Sequence, residues 1–480
     1  MVVDMPFPVH VFPCAHVCVF RGSGQPRFLD MNSTHTSLAL SFIIVALAGC
    51  ASVRTAEEKT ARQNSSEIGN VYRPHGDKPD LPALRPDSPP ADFLRFALLN
   101  HPQVEAAFYD WRSSVDAIAA ARALPEPQLT FQADIATTVM SLMPGLMFDL
   151  MAPGKRAAMG REAFATSQVS YRAYVTAVVT TVAEVRRAWV ELAFIDEAVA
   201  IRHQMSGVLD QALSAAQADY STGRGMGTFE EQTKVLNASA KLKSDLRIFA
   251  DRQIAARARF KAALGLAHDA ADPAWPEMPF PSAPLPGEEI LWHQALAANP
   301  QLGTMRAMVE MTVAQVEVAR RARTPDFTAG LMADLKQNPL MVRPTATMTL
   351  PIWREKIASA IASADARRLA ARARLSAEQI GMAAELAQML FMVREADRML
   401  AFIDETALPN IANALSSAEA AYGTGMAGFS PLAELRLMEL GMRLERVDTY
   451  REREVALADL AAFVAADVPA NAPLATSSSN

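Results

Sequence analysis

The sequence predicts a mainly α-helical fold with a small β part, built from one helix–strand–strand–long-helix unit that occurs twice. Three observations predict it. A set of short motifs recurs at a shift of about 200 residues. In each copy the apolar period changes from helical to two just after a proline. Two stretches of sixty-odd residues then follow, the first free of proline from 155 to 220 and the second broken only by Pro409.

Taken in order, residues 1–30 do not look like a targeting signal and read as an upstream extension, with Met31 as the start. Leu38–Ala48 is an uncharged apolar run of 11, which suits the core of a signal peptide and is too short to span a bilayer. Residues 31–49 are therefore expected to be a lipoprotein signal peptide. The run ends in Leu47-Ala48-Gly49-Cys50, which resembles a bacterial lipobox, so Cys50 is the expected lipidation site and the mature N-terminus. The other two cysteines, Cys14 and Cys18, fall in the upstream extension, so the folded body has no disulfide framework. Residues 50–90 are polar and Pro-rich and read as an extended lipidated tether.

The first repeat spans 91–266 and the second 287–466. Ala97-Leu98-Leu99-Asn100-His101-Pro102-Gln103-Val104 matches Ala295-Leu296-Ala297-Ala298-Asn299-Pro300-Gln301-Leu302 at a shift of 198. Ala121-Arg122 and Pro127 meet Ala319-Arg320 and Pro325 at the same shift, and Tyr220 and Gly223 meet Tyr422 and Gly425 at 202. Asn299 can cap its helix, with Pro300 in the first turn; His101 is the weaker cap of copy one. Each helix ends at a proline, Pro125 or Pro325. Leu129, Phe131, Ala133 and Ile135 then alternate with polar residues, as do Phe327, Ala329, Leu331 and Ala333. The return strands are expected over Met140–Leu150, with a turn at Pro144-Gly145, and around Thr345–Leu350. Four strands of 8–11 residues, apolar on one face, fit either a transmembrane barrel or a half-buried soluble sheet. Four strands alone cannot close, and open edges are not tolerated in lipid, so a membrane location requires several chains to pool theirs.

The long helices carry heptad seams, Val175, Val178, Val182, Val185, Trp189 and Leu192 in one and Met389, Val393, Ala396, Leu400 and Ile403 in the other. Gly207 and Pro409 are expected to bend them at one level. Each ends in a Tyr-x-x-Gly turn and returns as an antiparallel helix, started by Thr228 with Glu231 or by Ser430 with Pro431. Residues 267–286 form a Pro-rich connection, and 467–480 read as a disordered tail.

Composition narrows the function. With 46 basic and 52 acidic residues and no basic stripe, nucleic acid is not an expected partner. No nucleophile–base set, phosphate loop or metal-ligand spacing appears, so no enzyme, no metal site and no cofactor are expected. Met140, Met143, Met147, Met151 and Met159 could suit soft Cu(I), but with no Cys or His beside them they read as packing residues. Trp353 suits an interfacial aromatic or a packing role equally.

These features resemble the TolC family of outer-membrane efflux factors. The resemblance rests on the duplicated Asn-Pro-Gln-Leu helix start and the Ala-Arg-x-x-x-x-Pro exit into a strand. To these it adds Leu350-Pro351-Ile352-Trp353 and the paired Ala-x-x-x-Tyr-x-x-Gly ends, Ala216–Gly223 and Ala418–Gly425, and it covers about 91–466. It implies a homotrimer whose twelve pooled strands form one outer-membrane β-barrel, continued by a periplasmic α-helical barrel. The lipobox resembles that of the lipoprotein branch, often palmitoylated, whose members serve inner-membrane pumps of the resistance–nodulation–division type through a periplasmic adaptor. By the same resemblance, Tyr220, Gly223, Tyr422 and Gly425 mark the tip that docks the adaptor. Glu230 and Glu434 are candidates for an acidic constriction there; the family's further acid is absent, Pro431 or a neighbour standing in its place. The implied function is a passive exit duct for small molecules or metal ions. Two alternatives stay open: a periplasmic coiled-coil scaffold lipoprotein without channel activity, and the outer-membrane duct of a protein secretion system.

Overall fold

The computed structural model describes residues 55–136, 138–221, 229–277, 280, 284–469 and 472–474. Cys50, the signal peptide and the upstream extension lie outside the described residues.

The first element departs from expectation. Residues 50–90 are not an extended tether throughout, because α1 (Ala56–Tyr72) is a helix capped by the Thr55 hydroxyl, which accepts from the Glu58 N–H at 3.2 Å. Ala61, Ile68 and Tyr72 share its buried face. The prolines that suggest an extended segment all follow Tyr72. Tyr72 packs on Phe108 with ring centroids 5.2 Å apart and shares a 3.0 Å hydrogen bond with the Tyr174 hydroxyl. Glu58 is fully buried between Arg62 at 3.0 Å and Arg122 at 2.8 Å.

The repeats follow. The opening helix of each is two helices meeting at a capped proline: α2 (Pro90–Asn100) and α3 (Pro102–Arg122), then α6 (Glu288–Ala298) and α7 (Pro300–Arg321). Asn299 caps α7 by accepting from the Leu302 N–H at 2.9 Å, and in copy one His101 Nδ1 accepts from the Gln103 N–H at 3.2 Å. Burial holds the His101 pKa below its ordinary value, which keeps the acceptor neutral. Asn100 donates to the carbonyls of Leu264 and Gly265, and Asn299 to that of Phe463, so each opening is tied to the end of its own repeat.

Strands β1 (Gln128–Ile135), β2 (Val139–Leu150), β3 (Phe327–Asp334) and β4 (Met341–Met348) form one antiparallel sheet in sequence order. Pro144-Gly145 is not the expected turn, since both residues lie within β2 and Pro144 stands opposite Phe131. The proline is tolerated because the β2–β3 ladder lapses there, just after Gly145 with Met332. Within this chain β1 and β4 are edge strands.

Helix α4 (Lys155–Ser221) runs unbroken for 67 residues, about 100 Å. Gly207 does not interrupt it, so the two long helices are not broken alike. The second passes from α8 (Arg354–Phe402) through a π-turn at Ile403–Ala407 into α9 (Leu408–Gly423), whose second residue is Pro409. Proline has no N–H for the ladder and crowds the preceding turn, and the wider turn accommodates it. The returning helices are α5 (Phe229–Ala263) and α10 (Phe429–Phe463).

The largest core surrounds the middle of α4. Trp189 meets Phe93 at 4.9 Å and Phe280 of the inter-repeat connection at 5.7 Å, so that connection is packed. The segment from 467 is likewise not a free tail where it is described. Asp467 pairs with Arg186 at 2.5 Å, Pro473 is buried with its carbonyl accepting from the Tyr174 hydroxyl, and Leu474 packs on the core.

Candidate functional site, a two-faced sheet and a helical tip

The strand register sorts side chains by face. On one face the pairs are Leu129–Leu146, Phe131–Pro144 and Ala133–Leu142, before the register shifts at Asp134/Ile135. They continue as Leu146–Leu331, Phe148–Ala329 and Leu150–Phe327, then Phe327–Met348, Ala329–Ala346, Leu331–Pro344 and Ala333–Val342. No residue of that face is polar. The opposite face carries Gln128, Thr130, Gln132 and Asp134, then Ser141, Asp149, Thr328, Asp334, Arg343, Thr345 and Thr347, interspersed with Met and Gly.

The apolar face is open, with Leu129, Phe131, Ile135, Leu331 and Val342 exposed. On the polar face Ser141, Met143 and Asp334 at the centre are buried, whereas Gln128, Gln132, Asp134, Arg343 and Thr347 of the edge strands are exposed. On the polar face Asp149 accepts from Thr328 at 2.7 Å and Gln128 at 3.2 Å, and Asp134 accepts from Ser141 at 2.7 Å. Two reciprocal pairs fill its centre, Met332 over Gly145 and Met147 over Gly330, where an added Cβ would lie 2.6 and 2.8 Å from the respective Met Cγ.

A clasp joins sheet to helices and repeat to repeat. Asp326, just before β3, accepts from Lys155 at 2.5 Å and from the Ala152 N–H at 3.0 Å at the start of α4. Its backbone N–H and carbonyl bond Thr349, after β4. Burial raises the Asp326 pKa, but the Lys155 hydrogen bond and the Ala152 N–H outweigh it and leave the carboxyl below the usual carboxylate range. Sequence reading missed this residue; its signal was an acid directly after Pro325, at the change of period.

At the far end, α9 closes with the Met426 N–H donating to Ala421 at 2.9 Å and the Gly425 N–H to Tyr422 at 3.0 Å. Gly425 has φ +72°, the left-handed conformation this helix end requires. Tyr422 packs edge-on against Phe429, centroids 5.6 Å apart. A cleft of about 380 Å³ lies here, lined by Ala212, Ala216, Val235, Met426, Phe429 and Glu434. The second tip turn and Glu434 thus come together. Glu230 lies in the first turn of α5, exposed and paired with Lys234 at 3.0 Å, and it does not line that cleft. Gly223 and Thr228 lie outside the described residues, as does the side chain of Tyr220, whose backbone ends α4.

Trp353 stands exposed just before α8. Of the methionine stretch, Met143 is buried and Met140 exposed on opposite faces of β2. Among the described residues no group of three or more His, Cys, Asp or Glu could hold a metal ion, and no helix is long and apolar enough to cross a membrane.

Residues 291–466 match the family model described as outer membrane efflux protein. The fold resembles several solved structures. The MtrE outer membrane channel of Neisseria gonorrhoeae is 15% identical at a TM-score of 0.66, over 80% of this chain and 90% of that one. For the outer membrane protein VceC of Vibrio cholerae the values are 14% and 0.64, over 78% and 95%. For the CmeC outer membrane channel of Campylobacter jejuni they are 12% and 0.65, over 82% and 87%. No curated protein sequence matches the chain significantly. The second repeat is thus similar to the outer membrane efflux protein family, and the fold of the chain resembles that of solved outer-membrane channels.

Proposed function

We propose that this chain is one third of a passive outer-membrane exit duct, in which three copies pool twelve strands into one barrel continued by a periplasmic helical tunnel. The observation that carries the reading is the two-faced sheet: a wholly apolar face left open, a polar face opposite it that is buried only at its centre, and two edges unpaired within the chain. Lipid satisfies the first, a wet lumen the second and neighbouring strands the third. A soluble scaffold would bury the apolar face instead. The Lys155–Asp326 clasp supports a continuous wall from barrel to tunnel.

Lipidation at Cys50 fits this arrangement. Helix α1 begins beside Arg122, six residues before β1, and Cys50 precedes Thr55 by five residues. An acyl chain there would add a lipid anchor to the same chain. The tip cleft with Tyr422, Gly425 and Glu434 is the proposed seat of a periplasmic adaptor serving an inner-membrane pump of the resistance–nodulation–division type. Tyr220 and Gly223 are its counterparts in copy one. Glu434, open beside the cleft, suits an acidic constriction; Glu230, paired with Lys234, suits it less. The cargo is set by the pump and adaptor.

Single-channel recording of the detergent-extracted chain in planar bilayers, with migration of unheated and heated samples on gels, tests the duct. Discrete conductance from a heat-dissociable trimer is expected. A detergent-independent monomer that never conducts would sink the reading.

A further inference from the structure

The polar face of the sheet holds a buried carboxylate that no side chain neutralises. Asp334, the last residue of β3, is 0% exposed. One of its oxygens accepts from the Lys336 N–H at 3.0 Å, and the other has no hydrogen-bond partner. Lys336 supplies only its backbone, and Arg343, on the next row of the face, is exposed. A carboxylate so placed is costly unless a cation or a proton joins it. The other buried side-chain oxygens without a partner lie on the same face, Glu58 apart, whose carboxylate meets Arg122. They are Thr130 Oγ1 and Thr345 Oγ1, opposite Gly145 and Gly330.

Thioethers flank the carboxylate. Across β4 the register sets Met341 opposite Asp334. Across β2 the Leu335 N–H donates to the Leu142 carbonyl at 2.9 Å, which places Met143 opposite Asp334. Met143 is 2% exposed. Met332 lies two residues back along β3 on the same face, over Gly145. Of the methionine stretch in copy one, only Met143 stands beside the carboxylate. Repeat two supplies the carboxylate itself and the other two thioethers.

A thioether has no proton to give, so it cannot hydrogen-bond the free carboxylate oxygen. What it can share with that oxygen is a metal cation. Hard divalent ions take about six or more oxygen ligands, and this row offers a single carboxylate. A soft monovalent ion suits it better, since thioethers select such ions and one carboxylate balances one positive charge.

We propose that Asp334, Met143, Met341 and Met332 form a binding site for a soft monovalent cation, Cu(I) or Ag(I), on the polar face of the sheet. Asp334 supplies the charge and the methionines the selectivity. The inference rests on the duct reading only for the wet route by which an ion reaches this face.

The test uses the full-length chain extracted in detergent, with its thiols blocked by a maleimide and silver nitrate as the probe. Equilibrium dialysis with metal analysis reads bound silver, and planar-bilayer recording reads conductance of the same samples. About one tightly held silver ion per chain is expected, retained against excess sodium or magnesium. Met143→Leu with Met341→Leu keeps the side-chain bulk and should weaken binding by roughly tenfold or more. Asp334→Asn should weaken it too, whereas Met140→Leu, on the opposite face of β2, should leave it unchanged. Silver that the paired leucines do not reduce, or that magnesium displaces, overturns the site. So does the absence of tight silver binding, with Asp334→Asn then raising heat stability as for a carboxyl that merely holds a proton. A conducting trimer that binds no silver overturns the site while the duct reading stands. Silver held at these residues by a chain that never conducts keeps the site and overturns the duct.

Discussion

A Cβ added at Gly330 would meet the Leu146 carbonyl oxygen at 2.7 Å and Met147 Cγ at 2.8 Å, whereas at Gly145 the nearest atoms are Met332 Cγ at 2.6 Å and Thr130 Oγ1 at 2.9 Å. Backbone cannot yield as a side chain can. Gly330→Ala should therefore cost about 1–3 kcal/mol with no rescue by Met147→Ala, while Gly145→Ala should be rescued in part by Met332→Ala, the Leu331 carbonyl at 3.0 Å remaining close. Heat stability of the detergent-extracted assembly reads both double variants, and equal rescue would contradict the geometry. His101 makes a second case. Its folded pKa is depressed by burial, and its Nδ1 must stay neutral to cap α3. That contribution is complete above the ordinary histidine value of about 6.5 and is lost as pH falls through the lower folded value. Thermal stability should thus fall on acidification, and His101→Asn, the residue copy two uses at Asn299, should remove this component while keeping the cap.

At the level of elements, the sequence showed what period and proline can show. The strands, the long helices and the Asn299 cap follow from spacing alone. Three features did not, two because a partner elsewhere in the chain decided them and one because the local backbone adjusted to a proline. Helix α1 was hidden by the Pro-rich segment after it, and its burial depends on Phe108, Tyr174 and Arg122, which lie far along the chain. Pro144-Gly145 has turn chemistry, yet lies in β2, where the β2–β3 ladder lapses after Gly145–Met332 and resumes with the Leu335 N–H donating to Leu142. The π-turn before α9 answers Pro409, whereas Gly207 needed no answer. The docking of α1 is open to test. Removing the Glu58 carboxylate leaves Arg122 largely buried without its anion, so Glu58→Ala should cost on the order of 3 kcal/mol. Arg62→Ala, at the more exposed end of the network, should cost less than about 1 kcal/mol. Limited proteolysis within 56–72 distinguishes them: Glu58→Ala should open the helix to cleavage, and equal protection in both variants would deny Glu58 its role.

Across the whole molecule, the duplication was legible, and so was the alternation of every strand, but neither told which face meets water. Alternation is the same in a soluble sheet and in a barrel wall; burial separates them, because it depends on what the helices leave uncovered. Leu331 and Met332 put the distinction on adjacent residues. Leu331 pairs with Leu146 and Pro344 on the apolar face and is 52% exposed, whereas Met332 pairs with Gly145 and Arg343 on the polar one. If the apolar face meets hydrocarbon, an arginine at 331 near mid-strand should cost about 2–4 kcal/mol per chain, and a trimer suffers it three times. Leu331→Arg should therefore reduce the membrane-inserted, heat-dissociable form severely. Met332→Lys places its charge in the lumen, beside water and beneath the existing Arg343, so insertion should persist. The added positive charge should instead shift the channel toward anions, read as a change in reversal potential under a salt gradient. Were the sheet a soluble one, the order would reverse: the charge at exposed 331 would be harmless, and the one packed over Gly145 would disrupt the fold.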